Sequence, residues 1–396
     1  MDTNCILILA DVSGMGQNYH VGDEAMAEVA IARLAETFGR DKLVLVCASP
    51  VSAAETYGIK AIPLYSRTRK QRRKALVTQP HSVAIELAKI IYYLKKSDLV
   101  FVSGGGNHTS VWPHVLESRL FFYKLAQRFN KPIVFASQTL GPFLEEHRGH
   151  CQQAFGSAAW VGVRDRDYSA IQLDVPVHFA VDDAVFLPGE HNAQTKAISV
   201  KHPNLFGLSL RGFRGATDQQ RESFCISFAN IARKYSAGTV FIPHHAPGRM
   251  GDLDIAQKIL PLWPDNFPLE VLDPIPYATA VRALTENCSL VVTMRYHQLV
   301  FALSAGVPAI GICVEEYTRA KLNGAFEQFG LAPRLLSLEE APQQIEALIG
   351  EVLRSKDSFV EAATNTVKNS LCQNMAPYRR AAELVFSPRQ KVKALV

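Results

Sequence analysis

The chain has 396 residues, long enough for two domains of ordinary size, each with its own core. Hydrophobic residues make up 48% and charged residues 20%, the balance of a globular protein in water, and 42 Lys and Arg against 37 Asp and Glu leave +5, too slight an excess to point to nucleic acid but compatible with a small anionic substrate. The seven cysteines are scattered and none forms a CxxC pair, so a reduced, cytoplasmic protein without a cysteine-based metal site is expected.

The first element is CILILA, Cys5 to Ala10, a short branched run that reads as a buried strand. The residues around it, MDTNCILILADVSG, lack the basic start and longer apolar region of a secretory signal. A glycine-bearing loop follows, GMGQNYHVGDEAM, with Gly14, Gly16 and Gly22. Such a loop lets backbone N–H groups approach an anion at a helix N-terminus, although the pattern is neither GxGxxG nor a Walker motif. Asp23 and Glu24 equally serve as caps and dipole partners of the helix EAMAEVAIARLAETF.

KLVLVCA, Lys42 to Ala48, is the next strand. A basic run, RTRKQRRK from Arg67 to Lys74, holds six cations and is expected as a mobile loop. It is either a solvated loop or a contact for an anionic acceptor or a membrane surface, where each basic residue contributes about 1 kcal/mol. VAIELAKIIYYLKKS is helical, and DLVFVSGGG runs from strand into three glycines. Consecutive glycines lose the most chain entropy on folding, so Gly105 and Gly106 imply either a ligand close to the backbone or a tight turn, with Asn107 and His108 beside it. LESRLFFYKLAQRFN, KPIVFASQTLGP and WVGVRDRDYSAIQL continue the alternation. Continuous apolar strands separated by helices argue a parallel sheet covered on both faces.

The polar, aperiodic stretch from Leu187 to Asn204 is expected as a linker. The rhythm restarts at LFGLSLRG, where Arg211 ends an apolar strand; its planar fork suits an acid partner or a ligand phosphate or carboxylate. GTVFIPHH ends in His244 and His245, which as neighbours point in different directions, and no ligand spacing around them suggests a metal. After LEVLD and the helix YATAVRALTENC comes SLVVTMRYHQLVFALSAGVPAIGI. If the strand continues through Arg295 and His297, their i, i+2 spacing puts a cation and a titratable group on one side. The longest uncharged apolar run, near residues 299–314, is broken by Gly306 and Pro308, short of the roughly 20 residues a spanning helix takes. Helical segments close the chain and are expected to pack back across the first domain. The division expected is 1–190, 200–365 and a helical tail 366–396.

In open parallel sheets ligands bind outside the carboxyl ends of the strands. Two α/β, doubly wound, Rossmann-like domains facing a cleft would therefore gather Arg211, Arg295, His245 and His297. Two nearby arginines repel unless an anion lies between them, which points to a small, doubly anionic ligand carrying phosphate, carboxylate or both.

The stretch VVTMRYHQLVFALSAGVPAIGICVEEYTRAKLNGAFEQFGL resembles the polysaccharide pyruvyl transferase family: an apolar strand, Arg295-x-His297, a helix ending in Gly306-Val307-Pro308, then Tyr317, Lys321 and Gly330-Leu331. The spacing from Tyr317 to Lys321 is one residue longer than the family's form. NYHVGDEAM, VSGGGN, QTLGPF, VRDRDYSA and VDDAVFL are similar to the family's earlier segments, so the likeness spans roughly residues 15 to 332. The resemblance implies a GT-B-like fold and transfer of the enolpyruvyl-derived group of phosphoenolpyruvate to sugar hydroxyls, giving a pyruvate ketal and phosphate without a cofactor or metal. It implies donor contacts from Arg211, Arg295 and Lys321, His297 as general acid, and His245 or Asp23 as acceptor of the hydroxyl proton. The acceptor, a glycan or lipid-linked precursor, is expected at Gly105, Gly106, Asn107, His108 and Glu24, with the protein cytoplasmic, either free or peripheral at the inner face of the membrane. A GT-B glycosyltransferase that places a ribose at Glu315 or Glu316, and a non-catalytic glycan-binding relative, are the alternatives.

Overall fold

The computed structural model describes residues 5–15, 18–65, 69–212, 217–245, 251–264, 267 and 269–386. The chain divides into two compact units: residues 1–16, 26–183 and 370–396 form one, and residues 17–25 with 184–369 form the other.

The first unit carries β1 (Cys5–Leu9), most of α1 (Val21–Phe38), β2 (Leu43–Cys47), α2 (Pro50–Tyr57), β3 (Lys60–Pro63), α3 (Arg69–Thr78), α4 (Pro80–Lys96), β4 (Ser97–Val102) and β5 (Gly105–His108). It continues with α5 (Pro113–Arg128), β6 (Ile133–Leu140), α6 (Glu145–Gly156), β7 (Trp160–Val163), α7 (Arg166–Ala170) and β8 (His178–Phe179). The strands are parallel in the order β3-β2-β1-β4-β6-β7-β8, with β5 paired to β6. Successive strand residues face opposite sides. Leu7, Leu9, Val44 and Val46 enter one core layer, while Ile6, Ile8, Leu43 and Leu45 enter the other. Two buried faces are why these strands are apolar throughout rather than alternating.

The second unit holds α8 (Ala193–Lys201), β9 (Leu205–Ser209), α9 (Asp218–Lys234), β10 (Gly238–Phe241), α10 (Asp252–Ile259), β11 (Leu269–Val271), α11 (Ala278–Glu286) and β12 (Leu290–Thr293). Then come α12 (Tyr296–Ser304), β13 (Ala309–Cys313), α13 (Glu316–Gln328), β14 (Leu335–Ser337), α14 (Ala341–Arg354) and most of α15 (Lys356–Asn374). Its parallel sheet runs β11-β10-β9-β12-β13-β14. Strand order reverses between β9 and β12, the switch point where the loops at the carboxyl ends diverge and a ligand crevice opens. The last helix, α16 (Ala376–Phe386), lies in the first unit, where Tyr378 stacks on Phe101 with ring centroids 5.0 Å apart.

Three local expectations are corrected. Most of the basic run is helix α3 rather than a loop; Arg67 lies outside the described residues. Arg69 to Thr78 contains neither Gly nor Pro and is rich in Arg, Lys, Gln, Ala and Leu, whose helix propensity outweighs the repulsion among its cations. The stretch from Leu187 to Asn204 contains helix α8, closed by a reciprocal capping box between Asn192 and Thr195, which two polar residues at i, i+3 supply without an apolar stripe. Gly105 to His108 form strand β5 rather than a turn. A Cβ at Gly105 would meet only ordinary contact, whereas one at Gly104 would collide with Ser137 Oγ at 2.8 Å, so internal packing accounts for that glycine.

Candidate active site

Ser209, the last residue of β9, and Thr293, the last of β12, are paired neighbours across the switch point. Arg211 and Arg295 each stand two residues beyond this pair. Strand β12 ends at Thr293, whose Oγ1 accepts a 2.8 Å bond from Arg295 N, and the chain turns at once into α12. Arg295 is therefore the N-cap and His297 the second helical residue, a correction to the extended i, i+2 spacing. All nine residues of α12 are buried, which explains its nearly unbroken apolar sequence. No side chain caps its N-terminus.

Both arginines are paired with protein carboxylates. Arg295 grips Asp252 with two nitrogens, Nε at 2.9 Å from Oδ2 and Nη2 on Oδ1. Asp252 is fully buried and also accepts a 2.8 Å bond from His244 N. Arg211 Nη2 donates to Glu315 Oε1 at 2.8 Å and Thr318 Oγ1 at 3.0 Å. Burial first, and the charge of Arg295 second, push the Arg211 guanidinium below its ordinary value. The two cations thus feel each other, and each is partly neutralised from within the protein. Lys321 Nζ lies 5.0 Å from the Tyr317 ring centre and 5.7 Å from that of Tyr296, whose ring stands edge-on to His297 at 5.0 Å.

His20 and Val21 join this group through main-chain bonds. Val21 N donates to His244 O at 2.9 Å, and His20 and His245 form an antiparallel bridge with ring centroids 5.3 Å apart. Gly22 lies directly against His297: a Cβ there would overlap the ring at Nδ1. His20 is about 30% exposed, yet its Nδ1 is shut off from solvent and makes no hydrogen bond; Asp23 Oδ2 stands 3.7 Å away. Burial, then the fields of Arg295, His245, His297 and His244, hold the His20 imidazole well below its usual range. Burial and Arg295 also lower His245.

His244 is a different case. Thr285 Oγ1 donates to Val281 O, so its oxygen accepts from Gln298 Nε2 at 3.0 Å, which leaves Gln298 Oε1 to accept from His244 Nε2 at 2.7 Å. Burial lowers His244 to about 3, and it is a neutral part of the core. Among the described residues no three His, Cys, Asp or Glu side chains assemble as a metal site.

Of the residues expected from sequence, Asp23, Arg211, His245, Arg295, His297 and Lys321 come together in the second unit. Glu24 and His108 do not fit the acceptor role. Glu24 is 2% exposed, and His108 is fully buried, bonded to Tyr123 Oη at 2.7 Å and ringed by Phe135 and Phe155. Asn107 donates to Asp11, which also pairs with Arg119. The motifs QTLGPF, VRDRDYSA and VDDAVFL meet inside the first unit: Thr139 bonds Asp165, and Arg164 bonds Thr139 at 2.9 Å and pairs with Asp182. His20 and Asp252 were not singled out from sequence. Asp252 lies 43 residues before its partner, with no local pattern to mark it, whereas His20 sits at i, i+3 from Asp23, a spacing that brings side chains together on one helical turn. Beside Glu315, at the carboxyl ends of β13 and β14, lies a cavity of about 300 Å³ lined by Gln220, Cys313, Glu316, Arg319, Ser337 and Glu339.

Solved structures share the architecture over nearly the whole length. A Listeria monocytogenes protein assigned as a UDP-N-acetylglucosamine 2-epimerase matches with TM-score 0.65 and 12% identity over 97% of this chain and 96% of that one. The UDP-N-acetylglucosamine 2-epimerase of Neisseria meningitidis, bound to UDP-GlcNAc, gives 0.59 and 13% over 98% and 99%. The calicheamicin glycosyltransferase CalG4 gives 0.54 and 14% over 98% and 100%. At such identities the likeness fixes the GT-B-like fold and nothing finer. No curated protein matches the chain significantly. The model of one family, polysaccharide pyruvyl transferase, matches residues 20–313, from the histidine beside Asp23 through α12 to the end of β13. Because that match takes in both ends of the arginine and histidine cluster and most of the chain, this protein belongs to the polysaccharide pyruvyl transferase family.

Proposed function

We propose that the protein moves the enolpyruvyl-derived group of phosphoenolpyruvate onto hydroxyls of a glycan or glycan precursor, forming a pyruvate ketal and releasing phosphate. The observation that supports this most is the pair Arg211 and Arg295, two residues beyond the paired Ser209 and Thr293, with His297 at the start of a helix whose N-terminus no side chain caps. Two guanidinium groups and the helix N-terminus suit a ligand with both phosphate and carboxylate. Lys321, against the Tyr296 and Tyr317 rings, adds a third cation.

The donor displaces Glu315 from Arg211, while Asp252 keeps Arg295 oriented. His297 gives its proton to the methylene carbon, and the positive charge that develops on the adjacent carbon draws in an acceptor hydroxyl. The carbon–oxygen bond to phosphate breaks and a neighbouring hydroxyl closes the ketal. Phosphate release from phosphoenolpyruvate, measured across a panel of sugar acceptors, tests the reading. No release above background with any acceptor, including lipid-linked ones, would overturn it.

A second reading is favoured by one observation. The cavity at Glu315 and Glu316 lies at strand ends of a fold shared with a structure that holds UDP-GlcNAc. A nucleotide-sugar glycosyltransferase would seat a ribose between those carboxylates. A ligand of the native state raises its melting temperature, so stabilisation by UDP-sugars and not by phosphoenolpyruvate would select this alternative.

A further inference from the structure

His20 has no part in the donor contacts, yet it is built into the same cluster. Its backbone bridges to His245 and its successor bonds the carbonyl of His244, so its main chain is fixed against that strand end and its ring lies 5.3 Å from the His245 ring. The Nδ1 atom is closed to solvent, makes no hydrogen bond, and stands 3.7 Å from Asp23 Oδ2. The side chain as a whole keeps about 30% exposure, so it is not sealed in the core. The charged and titratable groups around it are Arg295, His245, His297, His244 and Asp23.

From this geometry we infer that His20 is the general base that takes the proton of the acceptor hydroxyl, with Asp23 as its positioning residue. The inference rests on the pyruvyl-transfer reading. Asp23 favours the tautomer protonated at Nδ1, and a shift of about an ångström would close the hydrogen bond, as catalytic contacts tighten when substrate binds. Nε2 is then the basic nitrogen. Burial and four cationic or potentially cationic neighbours disfavour the imidazolium, so the lone pair is available at neutral pH.

The protons balance. His297 gives one to the methylene carbon as the double bond opens. The first hydroxyl oxygen bonds to the adjacent carbon and its proton goes to His20. The bond from that carbon to the phosphate oxygen breaks, and the proton on His20 leaves with phosphate. The second hydroxyl adds, and its proton restores His297.

The test compares wild type with His20→Ala, His20→Gln and Asp23→Asn in phosphate release, donor binding by calorimetry and melting temperature. His20→Ala and His20→Gln should lower turnover about a hundredfold or more while donor affinity stays within about threefold. Added imidazole should restore part of the His20→Ala rate, and the acid limb of the wild-type pH–rate profile should be lost in both variants. Asp23→Asn should lower turnover about tenfold and shift that limb. Wild-type-like turnover in His20→Gln would overturn the inference and leave pyruvyl transfer standing. Loss of donor binding matching the loss of turnover, without imidazole rescue, would make His20 a donor ligand and also overturn it. A wild-type enzyme that releases no phosphate with any acceptor would remove the reading on which the inference rests.

Discussion

Gly22 and His297 occupy one another's space: a side chain on Gly22 would overlap the imidazole at Nδ1, so the start of α1 presses its backbone onto the general acid proposed here. Gly22→Ala must push the ring away or shift α1, at a cost of about 1–3 kcal/mol typical of overpacking. Turnover should fall at least tenfold, with a lowered melting temperature. Unchanged turnover would mean that the His297 ring position does not govern the reaction.

Arg295→Lys keeps the charge but loses the two-nitrogen grip on Asp252. Donor affinity should weaken at least tenfold, far beyond what conserved charge suggests. Asp252→Ala should be worse for stability, because removing one partner of a buried ion pair costs about 3–5 kcal/mol. Asp252 also holds the His244 backbone, so denaturant unfolding should reveal that loss directly. Wild-type turnover and donor affinity in Arg295→Lys would reduce Arg295 to a structural ion-pair partner.

His297→Asn preserves size and some hydrogen bonding but does not readily donate a proton. Donor binding should stay within about tenfold, roughly 1.4 kcal/mol, while turnover falls about a hundredfold or more. Calorimetry beside phosphate release separates the two. Retained turnover would move the proton donor to His245.

Acid should destabilise the second unit through His244. Its folded value, lowered to about 3 mainly by burial, lies below that of the unfolded chain, so the unfolded state binds the extra proton. Stability is full above pH 6.5 and declines as pH falls toward 3, by up to about 1.4 kcal/mol per pH unit from this one residue. His20 and His245 shift in the same direction and add to the slope. Denaturant melts at pH 7 and pH 5 should show a smaller pH difference in His244→Gln than in wild type. An equal difference would mean that His244 does not titrate between the folded and unfolded states.

Neutralising Arg67, Arg69, Lys70, Arg72, Arg73 and Lys74 to glutamine should leave phosphoenolpyruvate binding intact and weaken use of an anionic or lipid-linked acceptor at low salt. No helix among the described residues is long and apolar enough to cross a membrane. Unchanged kinetics at low salt would return the basic helix to a solvated role.

The fold class was legible in the sequence because a parallel sheet buried on both faces needs strands such as CILIL, LVLVC and LVVT that are apolar at every position. The candidate arginines and His297 were legible for a related reason: they follow closely on apolar strands, at the carboxyl ends where an open parallel sheet binds ligands, although Arg164 after β7 shows that such an arginine can also end in a buried ion pair. Two other features were recorded in sequence as well, the glycine against His297 and the family-like order of the motifs, although neither disclosed its partner. Tertiary structure alone decided how the cluster closes. Asp252 reaches Arg295 across 43 residues, and His20 meets His245 across more than half the chain. It also decided which histidines are sealed in the core and which stay near the surface. His108 and His245 both follow apolar strands, but one is sealed among Tyr123, Phe135 and Phe155 while the other borders a half-open ring. Local sequence sets periodicity and strand ends; burial and long-range pairing are properties of the packed chain, and those set the charge and reach of each group.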